Sequence, residues 1–362
     1  MKNKTIPDPL RVLVAMSGGV DSAVCALLLK QKGYSVEGLT MKLWSDTEPL
    51  HDEHSPLPDQ NCRDAMATAE QLEIPHHCVA FGDTFRSSVV TRFIDEYVNG
   101  RTPNPCVECN RCIKFGKLLR MAEEWKFDRL ATGHYARLER SGNGAFLLKK
   151  AKDLKKDQSY FLWGIPKEDL SKIIFPLGDF SKEEIRAIAS AHKLFCAHRS
   201  DSQDICFVPS GDYISFIQRQ IDLSFPCGSF VGMDGTVLGQ HSGLIRYTVG
   251  QRKGLGIALG QPMFVGRKNT ADNTVTLCTD SELYSKVLTA SELNLLVDDS
   301  LSVPQRMEAK IRYRHTPATA TVTRIDEKRI HVCFDEPQRA IAPGQSVVLY
   351  DGDTVIGGAI ID

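Results

Sequence analysis

No apolar run in this chain approaches the roughly 20 residues that span a bilayer. The opening stretch "MKNKTIPDPLRVLVAMSGG" carries basic residues but not the uninterrupted apolar core of a signal peptide. A cytoplasmic setting without a membrane partner is therefore expected. Charge of one sign is also lacking: 44 basic against 45 acidic side chains leave a formal net charge of −1. That excludes a global pull toward nucleic acid, and any such binding must rest on local basic patches. No period of self-similarity suggests a solenoid. The three thiols of "PCVECNRC" (105–112) have no histidine close by to complete a four-ligand metal shell.

Cysteine itself is plentiful, with eleven in 362 residues. In a reducing compartment disulfide scaffolding is a poor explanation, so most should be buried, reduced fillers. Cys25, Cys62, Cys78, Cys196, Cys227, Cys278 and Cys333 show no ligand spacing and are read as structural. Cys106, Cys109 and Cys112 repeat at intervals of three between a proline-bearing segment and a helical run. On residues alone, half a zinc site, a redox pair and a nucleophile with spectators all stay open.

The N-terminal half alternates in type. "RVLVAM" (11–16) is a short, branched apolar run suited to a buried parallel strand, and Val20, Val24, Leu27 and Leu28 then recur at helical spacing until Gly33. "SVEGLTMKLW", "HHCVAF" and "RLATGHY" read as further strands, and 61–72, 84–98 and 110–125 as helices. This is the pattern of a doubly wound α/β domain. The polar segment 45–60 reads as a surface loop, and Ser181 with Glu184 opens a helix through a capping box. From about Gly228 the texture changes to short alternating runs with Asp234-Gly235 and Asp351-Gly352 as turn pairs, so the last third is mostly β.

"AMSGGVDS" (15–22) falls where the first strand gives way to a helix, where free backbone N–H groups and the helix dipole favour an anion. Gly18 and Gly19 allow the backbone close to phosphate, and Ser17 and Ser22 add hydroxyls. The octet has neither the GxxxxGK[ST] lysine nor the GxGxxG spacing, so neither a phosphoryl-transferring P-loop nor a Rossmann dinucleotide site is supported. SGGVDS resembles the loop of ATP-pyrophosphatase enzymes, which adenylate a substrate oxygen and release pyrophosphate. Asp21, in the first helical turn, suits either Mg²⁺ on that pyrophosphate or compensation of the helix dipole.

Beyond this loop, "GRTPNPCVECNRCIKFGKLL", "ATGHYAR", "KDQSYFLWGI", "DSQDICFVPSGDYISFI", "YTVGQRKGLGI" and "APGQSVVLYDGD" follow the order and approximate spacing of the bacterial tRNA-specific 2-thiouridylases. The resemblance runs from about residue 10 to the C-terminus. It implies an adenylation domain of the ATP-pyrophosphatase (adenine nucleotide alpha hydrolase-like) type over 1–215, a small tRNA-binding domain over 216–280 and a C-terminal β-barrel over 281–362. It implies ATP-dependent exchange of the wobble-uridine C2 oxygen for sulfur in tRNAs for lysine, glutamate and glutamine. Mg²⁺ would accompany ATP, no structural metal is expected, and a cysteine desulfurase or sulfur carriers would be partners.

Carried onto this sequence, the resemblance makes Cys109 the nucleophile and Cys206 of "DICF" the persulfide carrier, with a disulfide between them in one version of the cycle. Arg111 and Lys114, and a position at a helix start, are expected to lower the Cys109 pKa. Cys106 occupies a place that relatives give to aspartate or cysteine, and Cys112 reads as packing. The resemblance assigns ATP to Ala15, Met16, Ser17, Gly18, Gly19, Val20, Asp21, Ser22, Met41 and Gly133. Asn104, Pro105 and Cys106 would surround a target base extruded from the anticodon loop. His134, Lys156, Asp157, Gln158, Arg312, Tyr313 and Gln345 would make further tRNA contacts. Gln251, Arg252 and Lys253 form a second candidate phosphate clamp. Two other readings are a glutamine-dependent synthetase, which needs neither cysteine, and a zinc-stabilised RNA-binding module without turnover.

Overall fold

The computed structural model describes residues 9–44, 59–197, 199, 205–208, 211–221, 224–297 and 301–362. Of the expected surface loop at 45–60, residues 45–58 lie outside these. Two compact units emerge: Met1–Val89 with Val107–Gln203 and Asp353–Val355, and Val90–Cys106 with Asp204–Gly352 and Ile356–Asp362. No helix among the described residues is long and apolar enough to cross a membrane.

The first unit is built on a parallel sheet. Strands β1 (Arg11–Ala15), β2 (Ser35–Lys42) and β3 (His76–Ala80) lie to one side, and β4 (Arg129–Thr132) and the two-residue β7 (Ile173–Ile174) to the other, in the order β3-β2-β1-β4-β7. Helices α1 (Val20–Gln31) and α2 (Gln60–Gln71) are the first two crossovers. Val20, Val24 and Leu27 bury against Val12 and Val14 of β1, the face that their helical spacing predicts. The chain order reverses between β1 and β4, so the loops leaving these strands flank a crevice at the carboxyl edge of the sheet, where such sheets bind ligands.

Helical structure then continues through α3 (Gly82–Phe85), a π-helical turn at Arg86–Val90 and α4 (Thr91–Val98). It resumes at α5 (Pro105–Glu108), passes into a π-helical segment at Cys109–Leu118, and ends as α6 (Leu119–Glu124). The predicted start at 110 is thus five residues late. Proline fits the first helical turn because its missing N–H has no intrahelical partner there. A hairpin of β5 (Ala136–Arg140) and β6 (Phe146–Lys150) follows β4. The capping box at α7 (Lys182–Ala191) forms as expected: Glu184 N–H donates to Ser181 Oγ at 3.2 Å and Ser181 N–H to Glu184 Oε2 at 2.7 Å.

One reading of the cysteines is corrected. Cys62 on α2 and Cys78 on β3, expected as separate reduced fillers, are joined in a disulfide with a Cα–Cα separation of 6.5 Å. The two lie 16 residues apart, and only the crossover from α2 into β3 brings them together.

In the second unit, α8 (Tyr213–Gln220) precedes β8 (Gly228–Val231), β9 (Val237–His241), β10 (Phe264–Asn269) and β11 (Thr274–Cys278). These strands form a four-stranded sheet in the order β10-β11-β8-β9 around Phe230, Tyr247, Val265 and Leu277. Strands β12 (Tyr284–Leu295), β13 (Gln305–Lys310), β14 (Ala318–Arg324), β15 (Ile330–Arg339), β16 (Ser346–Asp351) and β17 (Thr354–Ile361) run in the order β12-β15-β14-β13-β16-β17. Pairing of β12 with β17 closes them into a barrel. Both expected turn pairs join strands: Gly235 and Gly352 have φ of 84° and 58°, between β8 and β9 and between β16 and β17.

Candidate active site

Residues 16–19 turn between β1 and α1, and their own hydroxyls hold the turn. Ser17 N–H donates to Ser22 Oγ at 3.1 Å, and Ser22 Oγ donates to the Gly19 carbonyl at 3.1 Å. No side chain caps the start of α1 at Gly19, so the polarised N–H groups of the first turn stay available to an anion. Gly18 has φ of +74°, and a Cβ there would lie 2.8 Å from the Asn61 carbonyl oxygen of α2. A side chain would therefore strain the backbone and collide with it. Arg199 donates to the Gly18 carbonyl at 3.1 Å and pairs with the buried Asp64 of α2, a contact that the sequence reading missed.

The expected nucleotide residues converge within this unit. Thr40 of β2 donates to the Met16 carbonyl at 2.9 Å, tying the loop to the strand that ends in Met41 and Lys42. Gly133, just beyond β4, packs directly on the first turn of α1: a Cβ there would lie 2.9 Å from the Asp21 carbonyl carbon and 3.0 Å from Ser22 N. Asp21 is held from two sides. The Tyr135 hydroxyl donates to its Oδ1 at 2.8 Å, and the Lys182 ammonium reaches Oδ1 at 2.8 Å and Oδ2 at 2.9 Å. Neither partner was singled out in the sequence. The sole hint was a lysine directly after a capping serine, a position where helices prefer acids.

His134 is a neutral imidazole. Burial and, secondarily, the Lys114 ammonium push its pKa well below the ordinary value. An ammonium has no lone pair, so Lys114 Nζ donates to Nε2 at 3.4 Å, and Nδ1–H donates to Thr132 Oγ1 at 2.7 Å. Asp157 is buried, and its carboxylate accepts from Ala151 N at 2.9 Å, Ser159 N at 3.2 Å and Ser159 Oγ at 2.8 Å. Gln158 exchanges two bonds with the backbone of Tyr135, at 2.9 and 2.8 Å. Both residues fold the "KDQS" loop, in which Lys156 is half-buried. Asp157→Ala should therefore lower unfolding stability by about 2–4 kcal/mol, because two buried backbone donors lose their acceptor. Denaturant unfolding checks this, and a change below about 0.5 kcal/mol would return Asp157 to the group of surface contacts.

Cys109 is 8% exposed, the first residue of the π-helical segment rather than of a helix N-terminus. The expected place at a helix start is corrected, because helical structure begins at Pro105. Arg111 donates to the buried Glu108 carboxylate at 2.6 Å, and Lys114 is engaged with His134. The helix start falls at Pro105, so Cys106, which is exposed, sits in the positively polarised first turn. Cys112 is half-buried, with its Sγ 4.0 Å from Glu108 Oε2.

In the second unit, Cys206 is exposed while its neighbours Phe207 and Val208 are buried. Phe207 packs edge-on to Phe93 at 5.3 Å and against Phe216 at 5.3 Å, so an aromatic anchor presents the adjacent thiol at the surface. The segment carrying Asn104 and Pro105 is fastened to the barrel. Thr102 N–H donates to the Pro343 carbonyl at 2.8 Å, and Gln345 Nε2 donates to the carbonyls of Thr102 and Pro103 at 2.8 and 3.3 Å. Gln345 and the 102–106 segment, distant in sequence, thus belong to one surface. Arg312 donates to the Arg339 carbonyl at 2.9 Å, and the Lys310 ammonium sits 5.5 Å from the Tyr313 ring. Gln251 closes its own turn, with Thr248 N–H donating to its Oε1 at 2.9 Å, whereas Arg252 and Lys253 are exposed.

A parallel sheet with a glycine loop at its switch point defines an open, doubly wound α/β domain with its ligand crevice at the sheet edge, here followed by a small β domain and a closed barrel. Residues 10–210 match the family model described as the tRNA methyl transferase HUP domain. Residues 214–279 match its PRC-barrel domain, and 285–361 an aminomethyltransferase beta-barrel domain. The chain is 47% identical to the tRNA-specific 2-thiouridylase MnmA of Acetivibrio thermocellus, over 97% of this chain and 99% of that one. It is 46% identical to the protein of the same name from Syntrophotalea carbinolica and 44% to that of Clostridioides difficile, each over 97% of this chain and 98% of the relative. The chain belongs to the tRNA-specific 2-thiouridylase family.

Proposed function

We propose that this protein thiolates tRNA, replacing the C2 oxygen of the wobble uridine in tRNAs for lysine, glutamate and glutamine by sulfur at the expense of ATP. The observation that carries the reading is the glycine loop at the β1–α1 junction, with Gly133 and Asp21 packed on it, in a chain that matches curated 2-thiouridylases along nearly its whole length. Oxide is a poor leaving group. Attack of the uridine O2 on the α-phosphorus of ATP forms an O–P bond and breaks the bond to pyrophosphate, which departs and leaves an adenylate whose departure as AMP is easy.

Sulfur arrives on Cys206 as a persulfide from a cysteine desulfurase or a sulfur carrier, and the exposure of this thiol suits delivery by another protein. In the version with a cysteine nucleophile, Cys109 thiolate attacks the inner sulfur of the persulfide. A Cys109–Cys206 disulfide forms and hydrosulfide leaves, which adds to C2 and expels AMP. A thiol reductant then restores both cysteines. Asn104, Pro105 and Cys106 surround the extruded base. Lys156, Arg312, Tyr313, Gln345, Arg252 and Lys253 serve tRNA, while His134, Asp157 and Gln158 shape the surface beneath it.

Mg²⁺ carried in with ATP would supply charge neutralisation for the departing pyrophosphate, and Asp21 is the residue that would hold it. Asp21 fits such an ion: Mg²⁺ takes one or two protein carboxylates and draws its other ligands from phosphates and water, and the Asp21 side chain is 33% exposed beside the loop. A cytoplasmic setting suits a tRNA substrate.

The test is a reaction of the purified protein with unmodified tRNA for glutamate, ATP, Mg²⁺, cysteine and a cysteine desulfurase. Nucleoside mass spectrometry should show 2-thiouridine at the wobble position, with pyrophosphate released in proportion. In a parallel reaction with glutamine and ammonium in place of cysteine and the desulfurase, incorporation of nitrogen would instead support the synthetase reading. Tight tRNA binding with neither product would support a binding module.

A further inference from the structure

We propose that Lys182 is a positioning residue of the nucleotide site: it neutralises and fixes the Asp21 carboxylate so that a single oxygen, Oδ2, is left to meet the cation that travels with ATP. The inference rests on the ATP-dependent reading above. A carboxylate has two oxygens with about two lone pairs each. Oδ1 of Asp21 accepts from both the Tyr135 hydroxyl and the Lys182 ammonium, at 2.8 Å each, while among the described residues Oδ2 accepts only from Lys182, at 2.9 Å. Oδ1 is therefore saturated, and Oδ2 keeps one lone pair.

Exposure points the same way. The Lys182 side chain is 7% exposed and that of Asp21 33%, so the ammonium sits behind the carboxylate and the carboxylate stands at the surface beside the loop. Lys182 is thus placed to act on a bound nucleotide through Asp21. Its location is costly. It is the first residue of α7, where the helix dipole opposes a cation, and a buried ammonium needs a partner. The Ser181–Glu184 capping box holds this helix start in place, and Asp21, 161 residues away in sequence, supplies the opposite charge. A local rule broken at such a position is the usual mark of a functional site. Paired, Asp21 and Lys182 carry no net charge, so a triphosphate entering the loop does not meet a bare carboxylate.

The experiment is calorimetric binding of a non-hydrolysable ATP analogue to wild type, Lys182→Met, Lys182→Arg, Asp21→Asn and the Lys182→Met/Asp21→Asn double variant, in EDTA and in excess Mg²⁺. Lys182→Met should weaken binding about tenfold or more in EDTA, because the carboxylate then faces the triphosphate unopposed. Mg²⁺ should restore most of that loss, Lys182→Arg should keep most of the affinity, and Asn at 21 should rescue Lys182→Met in EDTA. Equal losses with and without Mg²⁺, or effects that add in the double variant, would reduce Lys182 to a structural residue. Lys182→Met binding like wild type in both buffers would overturn the proposal while leaving the enzyme reading intact. Wild type failing to bind the analogue in either buffer would overturn the ATP-dependent reading itself.

Discussion

Serine in place of Cys109 is expected to suppress 2-thiouridine formation by about 10³-fold or more while the protein still folds and still takes sulfur onto Cys206. The size follows from chemistry. A serine hydroxyl is a far weaker nucleophile toward sulfur than a thiolate. Folding should survive because the exchange is nearly isosteric and the segment is anchored by Val107, Ile113 and Phe115, all buried. Cys206→Ser should be equally inactive for a different reason, since in the proposed cycle its exposed thiol takes up the sulfur. Incubation with cysteine labelled in sulfur, the desulfurase and ATP separates the two variants. Cys109→Ser should accumulate a labelled persulfide and Cys206→Ser should carry none. Retention of more than a tenth of wild-type thiolation by either variant would remove the two-cysteine mechanism, and a labelled Cys206→Ser protein would move the acceptor elsewhere.

The strand, glycine loop and helix at 11–31 were legible because every signal there is local: a branched apolar run, two glycines and apolar residues at helical spacing. The capping box at Ser181 and the Asp351-Gly352 turn are local in the same sense, and both stand in the structure. The β5–β6 hairpin had a readable signal in Asn143-Gly144, although no strand was read between Tyr135 and Gly228.

What was not legible depends on the chain returning to itself. The Lys182–Asp21 pair spans 161 residues and the Gln345–Thr102 bond 243, and no spacing rule connects such positions. Cys62 and Cys78 meet because a helix packs on a neighbouring strand, which their sequence separation does not announce. The partners of Arg111 and Lys114 were hidden for a related reason: both follow Cys109 in sequence, and the fold sets Arg111 against Glu108 and Lys114 against His134.

The second large effect is expected at Gly133, whose replacement by alanine should weaken ATP binding by about five- to 150-fold, the range that corresponds to 1–3 kcal/mol of overpacking. Backbone freedom is not the reason, because Gly133 is not among the residues with positive φ. The methyl group would instead lie 2.9 Å from the Asp21 carbonyl carbon, 3.0 Å from Ser22 N and 3.1 Å from Asp21 Cβ. Two of these are backbone atoms of the first turn of α1, the turn whose N–H groups are to receive phosphate, and neither can yield without moving the loop. Displacing that turn would also pull Asp21 from Tyr135 and Lys182, so the damage should reach the cation dependence of binding as well as the affinity. Gly142 supplies the control. It lies in the turn between β5 and β6, a Cβ there meets nothing within 4 Å, and Gly142→Ala should bind ATP as wild type does. Equilibrium titration with ATP, paired with thermal unfolding to show that both variants fold, decides the matter. Undiminished affinity in Gly133→Ala would mean that the β4 terminus and the loop are not one site, and the nucleotide would have to be placed elsewhere along the edge of the sheet.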